Sequence, residues 1–237
     1  MYPRRTRLGE PTPAQCARGL VLALFHLIFF PFAMVWVQRT AGGEIPAAEA
    51  NAVCYLLSVV LAFALFWGVL REHFNRLLDR PAEHLVILLA ALAAAGALHL
   101  VAVLPPYPVE NPAPMAYAQE FALAPRATAV ILVVLMPIVE ELLFRWLIFG
   151  VLRRHSIWLA YLVSGGGFAL YCVLRYAFSG GGTDLRYLLL GAQYLPMSLA
   201  LCWAYGRTRC LWTAIVLHMA LNGLILWGAV ALYSGVF

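Results

Sequence analysis

The chain is a succession of long apolar runs separated by short polar punctuation. Seven runs, at about residues 19–38, 50–70, 84–104, 128–147, 158–178, 187–205 and 211–233, come close to the ~20 residues that cross a bilayer core. The segments between them hold turn chemistry: "TAGGEIPAAE", "PPYPVENPAP" and "SGGGTD" concentrate Gly, Pro and Asp. The pattern predicts an all-α fold, a polytopic transmembrane helical bundle of about seven spans. Polar residues inside the spans are unevenly spread. The first three carry chiefly His26 and His99, whereas the last four carry carboxylates, an arginine, a histidine and an asparagine. This predicts a tail at 1–18, accessory helices over 19–125 and a functional core over 126–237.

Composition agrees. Of 237 residues 64% are hydrophobic and 11% charged, with a mean hydropathy of +0.84. A soluble domain is nearer half apolar and a quarter charged. All sixteen basic residues are Arg, and the net charge is +5. Most sit in short loops between apolar runs, so they read as topology signals rather than as a nucleic-acid face. With the N-terminus inside, Arg4, Arg5, Arg7, Arg18, Arg71, Arg76, Arg80, Arg153, Arg154, Arg207 and Arg209 fall on the cytoplasmic side. Arg39, Arg126, Arg175 and Arg186 fall on the other. The bias predicts an integral protein of a bacterial inner membrane with a cytoplasmic N-terminus. "MYPRRTRLGEPTPAQ" follows its arginines with polar and Pro residues, which reads as a retained tail rather than a cleaved signal. The five cysteines have no CxxC spacing, which argues against a disulfide framework or a Cys-based zinc site.

The candidate chemistry begins with "IVEELLFRWLIFG". A charged residue at the centre of a span costs roughly 2.5–3.5 kcal/mol on insertion scales, so such residues face a protein interior or a wet cavity. Glu141 and Arg145 stand four apart on one helix face, in the favourable order for an ion pair. Glu140 is rotated about 100° away and is left for chemistry. Pro137, one turn earlier, loosens the backbone there. A purely structural ion pair locking two spans is the alternative.

In "GGGFALYCVLRY", Phe168 and Cys172 share a face with Arg175 a turn further on, and Gly165–Gly167 allows a close approach or a break. On residue type alone this stretch reads as ordinary packing. In "VLHMALNG", His218 and Asn222 again lie four apart. Together these residues suggest a water-activating site: Glu140 as general base, His218 as electrostatic partner, and Asn222 orienting the imidazole or donating to an oxyanion. Glu140, Cys172, His218 and Asn222 are then expected to converge inside the bundle.

"EELLFR" at 140–145, "FALYC" at 168–172 and "HMALN" at 218–222 resemble the three motifs of the CPBP intramembrane proteases. That family includes the CAAX prenyl endopeptidases and bacteriocin-processing or immunity proteins. The resemblance extends from about residue 127 to the C-terminus. It implies an intramembrane endopeptidase cleaving a membrane-associated peptide or protein within the lipid bilayer. It assigns Glu140 and His218 to water activation, Asn222 to the oxyanion, and Glu141, Arg145 and Phe168 to support. No cofactor is implied, and one histidine with carboxylates is a poor zinc set.

The second motif departs from the family, because Cys172 stands where members carry a histidine. Three consequences follow: a Glu–His protease that tolerates Cys172, a Cys172 nucleophile acting as a sorting protease, or a peptide-binding immunity scaffold without catalysis. A transporter is a further class, but no half-helix repeat supports it.

Overall fold

The computed structural model describes residues 11–40, 47–178, 182–233 and 235. Arg4, Arg5 and Arg7 of the expected tail, and parts of the loops at 41–46 and 179–181, lie outside the described residues. Among the described residues every regular element is helical. α1 runs over residues 13–40, as Pro13–Leu24, a wider π-helical stretch Phe25–Phe29, and Phe30–Thr40. It is followed by α2 (Ala47–Asp79), α3 (Pro81–Ala102) and the short α4 (Ala113–Leu123). Then come α5 (Pro125–Leu152), α6 (Ile157–Ala177), α7 (Leu185–Thr208) and α8 (Leu211–Tyr233).

Six helices, α2, α3 and α5 to α8, are long and apolar enough to cross a membrane. The apolar part of α1, Pro13–Phe29, is shorter. The protein is thus a polytopic helical bundle embedded in a membrane, close to the expected number of spans. Two boundaries differ from the sequence reading. The tail expected over 1–18 gives way to helix at Pro13, because Thr12 and Gln15 form a capping box (Gln15 N to Thr12 Oγ1 3.3 Å, Thr12 N to Gln15 Oε1 2.8 Å) and proline fits the first helical position. α4 was not expected beyond the proline-rich loop; it packs along α8.

Among the described residues, Arg76, Arg153, Arg154 and Arg209, all read as cytoplasmic, gather at one end of the bundle and tie the chain to itself there. Arg76 donates to the Arg209 carbonyl, Arg153 to the Gly206 carbonyl (3.0 Å) and Arg154 to the Pro11 carbonyl. Arg209 ends α7 in the left-handed conformation (φ 52°) and is the cap that presents this carbonyl. At the opposite end Asn111 donates to Gln193 Oε1 (2.9 Å). Between the ends lies one core around Phe66, Leu142, Trp146, Phe149, Leu201 and Tyr205. Trp146 meets Phe66 edge-on with ring centroids 5.2 Å apart, joining α5 to α2. The motif-bearing helix α5 is therefore the centre of the molecule, packed on most sides by other spans.

Candidate active site

The first motif lies between two widened turns of α5. The helix is π-helical over Val130–Leu135, regular over Met136–Glu141 and π-helical again over Leu142–Phe149. Pro137 cannot donate to the preceding turn, but the loosening expected beside the carboxylates is not at them: Met136–Glu141 is regular, and the widened turns flank it on either side. The expected spacing survives. Arg145 Nη1 stands 3.1 Å from Glu141 Oε1, and both side chains are fully buried.

That pair does not hold the arginine alone. Arg145 Nη2 donates to Ser198 Oγ (3.1 Å) and to the Ser198 carbonyl (3.3 Å) on α7. Ser198 Oγ in turn donates to the Gly165 carbonyl on α6 (2.8 Å). The guanidinium also lies over the Phe168 ring at 4.3 Å, a favourable cation–π placement away from water. Phe168 meets His218 edge-on, with centroids 5.5 Å apart. The second-motif aromatic therefore sits between the cation and the imidazole.

His218, on α8, has its Nδ1 2.7 Å from Glu141 Oε1. A carboxylate only accepts, so Nδ1 carries the hydrogen and the Nε2 lone pair points the other way. It points to Glu140, whose Oε2 is 3.7 Å from Nε2. That gap is too long for a direct hydrogen bond and suits a shared water beside the pair. Glu141 Oε1 thus serves Arg145 and His218 together, and one carboxylate orients the ring that faces the other. One expectation is corrected here. The imidazole is oriented by Glu141, not by Asn222, whose Nδ2 donates to the Leu132 carbonyl at 2.8 Å.

Glu140, Cys172, His218 and Asn222 line one cavity of about 830 Å³. Glu141 lies behind it, in keeping with the rotation between adjacent helical positions. Among the described residues Cys172 is in no disulfide, and it stands on the cavity wall. Tyr171 stands beside Glu140 at the wall, a neighbour that sequence reasoning missed. Ser198 was missed as well, since a serine in an apolar span carries no local signal of the arginine it will meet. The cavity wall also takes His26 and Tyr55 from the helices read as accessory.

The donor set does not fit a bound zinc ion. A catalytic zinc takes three protein ligands; here Glu141 is committed to Arg145 and His218 Nδ1, leaving Glu140 and one imidazole nitrogen. Among the described residues no group of three His, Cys, Asp or Glu side chains is placed to share a metal.

A membrane-embedded helical bundle with a charged, buried cluster opening on a cavity is the class that fold and site define. Residues 122–224 match the family model described as type II CAAX prenyl endopeptidase Rce1-like. The matched stretch contains all three motifs, at 140–145, 168–172 and 218–222. It is also similar to "Putative membrane peptidase YdiL" of Bacillus subtilis (strain 168), with 32% identity over 87 residues. That alignment covers 36% of this chain and 30% of the relative. No solved structure matches.

Proposed function

We propose that this protein is an intramembrane endopeptidase of the CAAX-protease type, cutting a membrane-associated peptide with water activated by Glu140. The observation that carries the reading is the 3.7 Å approach of Glu140 Oε2 to an imidazole nitrogen whose other side is bound at 2.7 Å. Water between Glu140 and His218 Nε2 loses a proton to the Glu140 carboxylate as its oxygen adds to the scissile carbonyl carbon. The carbonyl oxygen becomes an oxyanion, for which the second Nδ2 hydrogen of Asn222 is a donor. Collapse breaks the C–N bond, and the proton on Glu140 passes to the leaving amine. Arg145 and Glu141 hold the imidazole in place and take no proton.

Cys172 acts here as a wall residue. A thiol nucleophile needs a base or cation committed to the thiolate, and this reading gives Glu140 and His218 to the water instead. The same reading places the protein in a bacterial cell membrane with its N-terminus in the cytoplasm, on the arginine distribution. The test is turnover of fluorogenic lipidated and hydrophobic peptides by the protein in liposomes. Glu140→Ala abolishes cleavage, and His218→Ala lowers it by about 10²–10⁴-fold, the usual loss for a positioned acid–base group. Cleavage that persists in Glu140→Ala overturns the reading.

A further inference from the structure

The cavity contains a second imidazole that the mechanism above does not use. His26 sits in the π-helical stretch Phe25–Phe29 of α1, is 3% exposed, and lines the same cavity as Glu140 and His218. Its depth can be read from the helix contacts. A side chain at Gly19 of α1 would meet Leu147 of α5, and Gly150 lies against Pro11, so the two helices run antiparallel. His26 is seven residues beyond Gly19, and Glu140 is seven residues before Leu147. At 1.5 Å per residue both are on the order of 10 Å from that contact, which puts them at one level. The α2 contacts agree. Arg18 bonds the Leu65 carbonyl and His26 bonds Ser58, so this pair too runs antiparallel at matching steps.

The ring is held firmly. His26 packs against Phe30 (5.8 Å between centroids) and against Tyr55 (5.6 Å). Its Nδ1 is 3.3 Å from Ser58 Oγ. Ser58 Oγ donates its one hydrogen to the Cys54 carbonyl at 3.2 Å. With its hydrogen so placed it accepts from His26, which corresponds to the Nδ1–H tautomer of the neutral ring. Nε2 is then a bare acceptor. It has no hydrogen-bond partner among the described residues, and His26 is part of the cavity wall.

His26 is one of several polar groups on this wall, at the level of Glu140, and an extended peptide in a membrane needs acceptors. Its backbone N–H groups have lost the helix that satisfied them, and lipid offers nothing in return. We infer that His26 is a substrate-binding residue whose Nε2 accepts a backbone N–H of an extended peptide segment, holding that segment across the cavity from Glu140. The inference rests on the peptidase reading for its substrate class, but not for the binding itself.

The test separates the two. Full-length Glu140→Gln protein in nanodiscs is titrated with a palmitoylated hexapeptide carrying a benzophenone, and photo-capture gives the affinity. His26→Phe keeps the ring packing and removes the acceptor; it is expected to weaken capture about tenfold, the scale of one buried hydrogen bond. His26→Gln, which keeps an acceptor, recovers part of it. A scan of single N-methyl amides along the peptide locates the partner. At one position N-methylation weakens capture by the His26 protein about tenfold and leaves capture by His26→Phe unchanged. Nitrogen-15 spectra of the labelled imidazoles, with His26 assigned by its loss in His26→Phe, show the Nδ1–H tautomer. Equal capture by His26→Phe, an N-methyl scan without such a position, a hydrogen on Nε2, or no capture at all overturns the inference. Capture that depends on His26 in a protein that never cleaves leaves the binding role in place and removes the protease reading instead.

Discussion

At the residue scale the site is organised around one carboxylate doing two tasks. Glu141 Oε1 neutralises Arg145 at 3.1 Å and orients His218 at 2.7 Å, so loss of either member of the Glu141–Arg145 pair leaves the other's charge uncompensated in a dry interior. Breaking a buried pair from one side typically costs about 3–5 kcal/mol. Arg145→Ala is therefore expected to destabilise the bundle by that amount, read as thermal unfolding in detergent. Arg145→Lys does little better, because a single ammonium cannot reach Glu141 and both Ser198 oxygens as the forked guanidinium does. A wild-type melting curve for Arg145→Ala would show that the pair is ornamental.

Cys172 belongs to the same scale. As a neutral wall residue it helps water activation less than an imidazole does. Cys172→Ser is expected to keep most of the activity, and Cys172→His to raise turnover by about tenfold or more, within the span usual for an added acid–base partner. An inactive Cys172→Ser with normal folding points to thiol chemistry instead.

At the scale of elements the site depends on how closely α6 approaches α7. The Gly165 carbonyl accepts from Ser198, and a Cβ at Gly165 would stand 3.1 Å from Leu199 Cδ2 and 3.7 Å from Cys202 Sγ. Gly165→Ala asks only a flexible leucine methyl to give way and is expected to be mild. Gly165→Val wedges the helices apart, and overpacking of this kind costs about 1–3 kcal/mol. It also withdraws the carbonyl that holds Ser198 on Arg145, so activity is expected to fall further than stability. Measuring both on one preparation checks this; an equal loss of the two would mean the contact is packing alone. The triple glycine was expected to allow a close approach or a break. The helix is continuous there, π-helical over Tyr161–Gly166, and the close approach is at Gly165.

At the scale of the whole molecule, the arginine-rich end is closed by side chains that cap carbonyls across helices, while the other end carries the proline-rich loop and α4. The distribution of arginines predicts that the first end is cytoplasmic. Labelling of single cysteines in a background without the native ones tests it. Glu110 is exposed and makes a better probe than Asn111, which is tied to Gln193. An impermeant reagent is expected to reach Glu110→Cys from outside the cell and Arg207→Cys only from within. Modification of Glu110→Cys solely from the cytoplasmic face reverses the orientation.

Much of this protein is determined by sequence alone, because a bilayer makes local rules decisive. Spans of about 20 apolar residues must be helices, since lipid cannot satisfy a bare backbone. Within a helix, spacing of four sets one face, which is why Glu141 with Arg145, and the residues of the third motif, were legible as groups. Partners on different helices carry no such local mark. That Ser198 receives the arginine, that Glu141 rather than Asn222 orients His218, and that His26 reaches the same cavity as Glu140 are results of packing across 53, 77 and 114 positions of chain. Short-range periodicity does not encode which polar atoms meet at such separations. Only the tertiary structure decides it, through the cost of leaving a polar group unpartnered away from water and lipid.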